Sequence, residues 1–345
     1  MENNFIIFLR CLLLLFTSFF LSNRLCKVLI SIQNKSKQGQ EISTYLMESH
    51  QDKKSTPTLG GLGIILSILI SSLLICNLYL DKYFLCGMII LVSFSIIGLI
   101  DDLIKVLKRN YHGLSSTLRV VLEGLIVIIT FYILDKDNLI DSYFSFNDNT
   151  YLNFSNLIVI FIVFLIVGSA NSVNLTDGLD GLSGGVYLIS LLPFIIFLLL
   201  DNNMSLVYLL LMIYGSTLGF LVLNLHPAKI FMGDTGSLAL GGILGYIALV
   251  SKKELLLILI GGIFVFETIS VILQVIVFKT TKKRIFKMSP FHHHLELMGK
   301  KEYTIVMLFY VIGFTLSLIS LIVGLILWKY WYLVILIVVK QVMNY

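Results

Sequence analysis

The sequence predicts an all-α integral membrane protein of about ten transmembrane helices with a cleft on the cytoplasmic side. Three observations carry that expectation. The chain is 57% hydrophobic and 13% charged, about half the charge of a soluble domain. Apolar runs near 5–22, 59–80, 83–100, 117–134, 156–175, 183–200, 206–224, 236–250, 255–278 and 303–327 recur along its whole length, each close to the ~20 residues that cross a bilayer. Between them, Lys and Arg alternate from loop to loop, the asymmetry that sets orientation.

The spans are evenly spread and no loop exceeds about 40 residues, so residues 1–345 read as a single polytopic membrane domain. The first apolar run carries Arg10 and no A-x-A site follows it, so it reads as a retained helix rather than a cleaved signal. The segment after Trp328 (YWYLVILIVVK) is too short for an eleventh span and reads as a helix extension or interfacial segment. Cys11, Cys26, Cys76 and Cys86 lack C-x-x-C spacing and His neighbours, which fits packing residues. The formal charge of +5 reports orientation and implies no nucleic-acid partner.

Placing the basic loops in the cytoplasm gives cytoplasmic segments near 23–58, 101–116, 171–182, 225–235 and 279–302, with both termini outside. Every unusual polar cluster falls in one of them. Scattered polar residues would have divided between the two faces; convergence on one face points to a site.

The span near 83–100 ends GLIDDLIKV. Asp101 and Asp102 there read as a pair at a helix C-terminus, unfavourable for the helix dipole unless a metal or Lys105 compensates. A solvated helix end is the bland alternative. In GSANSVNLTDGLDGLSGG, Asn171, Asn174, Asp177 and Asp180 recur every three residues and would share one strip of a helical turn. Such groups at the end of an apolar helix are costly to desolvate, which favours a ligand or metal site over simple capping. In NLHPAKIFMGDTGSLALGG, Gly233 to Ser237 precede a helix rich in small residues. Its unbonded N–H groups would suit phosphate, and Asp234 would suit Mg²⁺, although Asp234 as a plain N-cap is the simpler alternative. TPTLGGLG opens the second span and is weak alone. In KRIFKMSPFHHHLELMG, His292, His293 and His294 stand in a basic loop. Consecutive helical residues point about 100° apart, so contact with a phosphate fits better than shared ligation of zinc. Glu267 and Gln274 lie inside a span and are expected to line a cavity or support the site.

Over nearly its full length the chain resembles the polyprenyl-phosphate N-acetylhexosamine-1-phosphate transferase superfamily, with TPTLGG, GLIDDLIKV, NSVNLTDGLDGL, HPAKIFMGDTGSL and the HHH loop in the family's order. The HHH run after KMSPF resembles the muramoyl-pentapeptide branch. That resemblance implies transfer of phospho-N-acetylmuramoyl-pentapeptide from UDP-MurNAc-pentapeptide to undecaprenyl phosphate, forming lipid I and releasing UMP. It implies a Mg²⁺ cofactor, a multi-pass protein of the bacterial plasma membrane with a cytoplasmic active site, and commonly a homodimer. By the same resemblance Asp234 binds the metal, Asp101 and Asp102 form the essential pair, and His292, His293 and His294 take part in catalysis. Lys53, Thr58, Asn171, Asn174, Asp177, Asp180, Asn224 and Phe231 match positions lining the nucleotide pocket. His112 stands where the family usually has Lys, and residues 38–50 match it poorly. Two rivals remain: a transferase of GlcNAc-1-phosphate, and an ion-coupled transporter, which would place its polar groups near the bilayer midplane.

Overall fold

The protein is described by a computed structural model covering residues 4–36, 56–74, 81–108, 113–135, 143–147, 150–153 and 157–343. Lys53, Cys76, His112 and the 38–50 segment lie outside the described residues.

The chain runs α1 (Asn4–Ser36), α2 (Gly60–Ser72), α3 (Lys82–Lys108), α4 (Ser116–Asp135), β1 (Tyr143–Asn147), β2 (Thr150–Asn153), α5 (Leu157–Thr176), α6 (Leu182–Leu200), α7 (Met204–Asn224), α8 (Asp234–Val250), α9 (Glu254–Ile260), α10 (Gly262–Thr281), α11 (Phe291–Leu297) and α12 (Glu302–Met343). Eight of these helices are long and apolar enough to cross a membrane, and α2 and α8 are shorter apolar helices. The antiparallel β1–β2 hairpin is the one departure from an all-α chain among the described residues.

Several expected boundaries need correction. The first helix continues through Ser36, well past the expected loop start at 23. Helix α3 extends to Lys108, so Asp101 and Asp102 lie inside it rather than at its C-terminus. The expected span 255–278 is two helices separated at Gly261. The segment after Trp328 continues α12, the helix-extension alternative.

Burial is graded from centre to rim. In the apolar window of α7, 78% of residues are buried, against 17% in α1; the apolar residues left exposed on outer helices are what a helix facing lipid presents. Helix α8 is buried along nearly its whole length, flanked by α3 and α5, while α1 packs on α7 and α12 on α6. Without a hydrophobic drive between helices inside lipid, such contacts depend on backbones approaching closely over small residues. Gly241 and Gly245 provide this on α8: a Cβ at either would meet the α5 backbone at Ala170 or Ile166 within 2.9 Å. On the other flank, a Cβ at Gly98 of α3 would lie 2.2 Å from the Asp234 carbonyl oxygen. Gly98 thus sets how near α3 comes to the start of α8.

Gly98→Ala is therefore expected to destabilise the protein by about 1–3 kcal/mol through overpacking, seen as a lowered unfolding temperature in detergent. Gly168→Ala, where an added Cβ meets nothing within 4 Å, is the control and should leave that temperature unchanged or slightly raised.

Candidate active site

Helix α8 begins at Asp234 with no side-chain cap of its own, after Gly233 at a positive φ of 73° that favours glycine. The first turn of any helix leaves N–H groups without intrahelical partners. Here Asp102 of α3 supplies the acceptor. Its Oδ1 accepts from the Asp234 N–H at 3.1 Å, and its Oδ2 from the Thr235 N–H at 2.9 Å and the Thr235 hydroxyl at 2.6 Å. A Cβ on residue 233 would approach the Asp102 carboxylate to 2.6 Å, so a glycine is needed there for space as well as for φ. The expectation that these N–H groups stand ready for a phosphate is thereby corrected: Asp102 occupies the first two, and the Gly236 and Ser237 N–H groups bond the Gly233 carbonyl.

The cross-helix cap brings Asp234 beside Asp101. One carboxylate oxygen from each of Asp101, Asp102 and Asp234 lies within 4.8 Å of the others. Three clustered carboxylates in a buried place need cations or protons, and two basic side chains meet the need. Lys105, one turn along α3, reaches Asp101 Oδ2 at 2.6 Å and Asp234 Oδ2 at 3.0 Å. Arg119, in the first turn of α4, donates to Asp234 Oδ2 at 3.1 Å and to Asn171 Oδ1 at 3.3 Å. Asn174 donates to Asp234 Oδ1 and to Ser237 Oγ, both at 2.8 Å. Asp101 Oδ1 accepts from the Leu114 N–H, which fastens the approach to α4 onto the same centre.

The strip expected at 171–180 divides where α5 ends. Asn171 and Asn174 are on the helix and join the Asp234 network; Asp177 and Asp180 lie in the following turn. Asp177 is half-buried, and loss of solvent, together with the negative charges of Asp234, Asp102 and Asp180, pushes its carboxyl up to about 8. Asp180 belongs to a second cluster. Its Oδ2 accepts from the Ala228 N–H and lies 3.0 Å from His226 Nδ1, while its own N–H donates to Glu302 at 2.7 Å. Asn224 accepts from the Gly181 N–H and donates to the Ile230 carbonyl. Asp180 and Asn224 therefore bind the 177–181 and 225–230 turns to one another.

Thr58 is buried with its backbone held by the Gln33 side chain at 2.8 and 2.7 Å. Phe231 exchanges backbone hydrogen bonds with Pro57 and Gly60, and its side chain is half-buried. The TPTLGG segment is therefore a backbone partner of the loop that leads to Asp234.

The three histidines separate. His292 is fully buried; its Nδ1 is 3.4 Å from Glu267 Oε2, and its ring packs on Gly178, next to Asp177. His293 pairs with Glu296 at 2.7 Å. His294 accepts from the Lys287 N–H and lies against Phe286 and Phe291. His292 thus reaches the 177–181 turn. Glu267 accepts from the Phe291 and His292 N–H groups, and Gln274 bonds the backbone of Ile285 and Phe286. These two intramembrane polar residues thus anchor the histidine loop.

Arg119 and Glu123 were not singled out in the sequence. Their signal was there: an acid inside an apolar run, four residues after an arginine, RVVLEGLIVII, a pattern that in a membrane helix asks for a partner.

A family model, glycosyl transferase family 4, matches residues 83–252, the segment from α3 through α8 that holds all three clustered aspartates. Phospho-N-acetylmuramoyl-pentapeptide-transferases of Bacillus thuringiensis (strain Al Hakam) and Bacillus cereus (strains AH187 and G9842) are each 40% identical over 310 residues, covering 89% of this chain and 95% of theirs. The likeness extends beyond the family model to the histidine loop, and it covers nearly the whole of both proteins. The chain belongs to the phospho-N-acetylmuramoyl-pentapeptide-transferase family.

Proposed function

We propose that this chain transfers phospho-N-acetylmuramoyl-pentapeptide from UDP-MurNAc-pentapeptide to undecaprenyl phosphate, forming lipid I and releasing UMP. The reaction takes place at the cytoplasmic face of a bacterial plasma membrane. The observation that carries this proposal is the Asp101–Asp102–Asp234 cluster with Lys105 and Arg119 upon it. Carboxylates that can hold a hard cation, beside cations that can hold phosphate, are what phosphoryl transfer between two anions requires. A transporter has no such need.

The donor set fits Mg²⁺: all three groups offer carboxylate oxygen, and their oxygens are close enough to share one ion. Asp234 and Asp101 are the residues that would hold it, because both Asp102 oxygens are committed to the start of α8. Bound there, Mg²⁺ would neutralise charge on the pyrophosphate and the departing UMP.

The reaction joins a lipid phosphate oxygen to the phosphorus that bears the sugar and breaks that phosphorus's bond to the UMP oxygen. With a second pKa near 6, a phosphate monoester is largely dianionic at neutral pH and needs no base. Direct attack follows, with Asp101 orienting groups through Lys105 rather than forming a phospho-enzyme. Asp102 is the poorer nucleophile, since attack would release three hydrogen bonds that hold α8. Lys105 would exchange carboxylate contacts for phosphate contacts and steady the in-line arrangement. Asn171, Asn174, Asp177 and the half-buried Phe231 surround the nucleotide, and His292 supports the Asp177 turn from behind Gly178.

The decisive assay is UMP release by the purified protein with UDP-MurNAc-pentapeptide and, separately, UDP-GlcNAc. Release with the first alone is expected; release with the second alone would move the chain to the GlcNAc-1-phosphate branch. Asp234→Asn is expected to lower Mg²⁺-dependent release by about two orders of magnitude or more; near-normal turnover would remove Asp234 from the metal role.

The raised carboxyl of Asp177 has a separate consequence. Between its unfolded value of about 3.9 and its folded value of about 8, the folded state binds a proton that the unfolded state does not. Its contribution to stability therefore falls as pH rises through that window. Asp177→Asn should flatten this slope, gaining stability relative to the parent at pH 8 but not at pH 4, as thermal unfolding of the substrate-free protein at the two pH values would show.

A further inference from the structure

One ion pair on α4 is left open. Arg119 Nε and Glu123 Oε1, one helical turn apart, face each other at 4.0 Å, where a closed N–H···O contact would be about 2.9 Å. Both atoms are buried, and neither has a hydrogen-bond partner. Glu123 itself is fully buried. The rest of the guanidinium is drawn the other way, with Nη1 on Asp234 and Nη2 on Asn171. Asn171 in turn donates to the second Glu123 oxygen at 3.0 Å. A buried carboxylate with one oxygen unpaired is costly, and a leucine would fill the same space without that cost.

We propose that Glu123 is a second seat for the Arg119 guanidinium, which moves from Asp234 to Glu123 when a divalent cation binds at Asp234. The proposal rests on the metal role assigned to Asp234 above. A cation at Asp234 and the guanidinium compete for Oδ2. Were Arg119 to leave with nowhere to go, it would be a buried cation without a counter-charge. A shift of about 1 Å closes Nε on Glu123 Oε1 and satisfies both orphaned atoms together, while Asn171, already bonded to both residues, serves as the pivot. Glu123 touches neither substrate nor metal; it is a positioning residue for Arg119, and through it for Asp234.

The test is Mn²⁺ binding, followed by electron paramagnetic resonance, on the full chain in detergent without substrates. Glu123→Gln should weaken Mn²⁺ about tenfold, because Arg119 then stays on Asp234. Arg119→Gln should tighten it, because one of the two cations on Asp234 Oδ2 is gone. In the double variant the Glu123 substitution should have no further effect, giving Mn²⁺ affinity equal to that of Arg119→Gln. If Glu123→Gln weakens binding equally with and without Arg119, Glu123 acts only as a distant charge, and the second seat is overturned. No effect of Glu123→Gln overturns it as well. Should Glu123→Gln fail to fold, Glu123→Asp keeps the charge, shortens its reach by one methylene, and is read by the same cycle. Asp234→Asn separates the two levels: if it binds Mn²⁺ as the parent does, the metal role of Asp234 fails before Glu123 is in question.

Discussion

The Asp102 carboxylate, lent by α3 to the first turn of α8, is the contact on which the rest of the site depends. A helix that starts within a crowded membrane protein has little water to satisfy its first N–H groups, and α8 has no capping side chain of its own. Asp102 satisfies two of them and the Thr235 hydroxyl. The negative group also stands at the positive end of the α8 dipole, the favourable sense. Once that tie is made, Asp234 has one position, beside Asp101. Gly98 lets α3 come close enough, Gly233 makes room for the carboxylate, and Gly241 and Gly245 hold α5 against the other side of the same helix.

The second constraint follows from the first. Bringing three carboxylates within 4.8 Å of one another would be ruinous without opposite charge, since losing one partner of a buried pair costs about 3–5 kcal/mol. Lys105 and Arg119 supply the balance, and both converge on Asp234 Oδ2. The arrangement that makes the fold tolerable is therefore the one that suits the proposed chemistry. Cations that neutralise carboxylates before substrate arrives can neutralise phosphates afterwards, and the oxygens they vacate can receive a metal.

Much of this was legible in the sequence, and what was not has physical reasons. The apolar spans follow from composition, and the gathering of Asp101, Asp102, Asp177, Asp180 and Asp234 into loops of one expected face follows from charge bias and the alternation of spans. Helix ends were less legible, because a helix capped from another part of the chain leaves no local signature: α3 extends past Asp101, and α8 borrows its cap from α3, 132 residues earlier in the chain. Regular spacing misled at 171–180, where the helix stops at Thr176 and Asp180 turns to His226 and Glu302 instead. The consecutive histidines diverge as their helical spacing implies, but which of them packs on Gly178, His292, is settled only by tertiary packing. Arg119 and Glu123 could have been found from their four-residue spacing within an apolar run, but their link to Asp234 arises only when α4, α5 and α8 are packed.

The most direct measurement is the unfolding temperature, in one detergent and without substrate, of Asp102→Ala beside Asp101→Ala. If the Asp102 cap organises the site, its loss should destabilise the protein by about 2–4 kcal/mol, clearly more than loss of Asp101, whose partner Lys105 retains Asp234. An Asp102→Ala protein that unfolds with the parent, or no earlier than Asp101→Ala, would contradict the account.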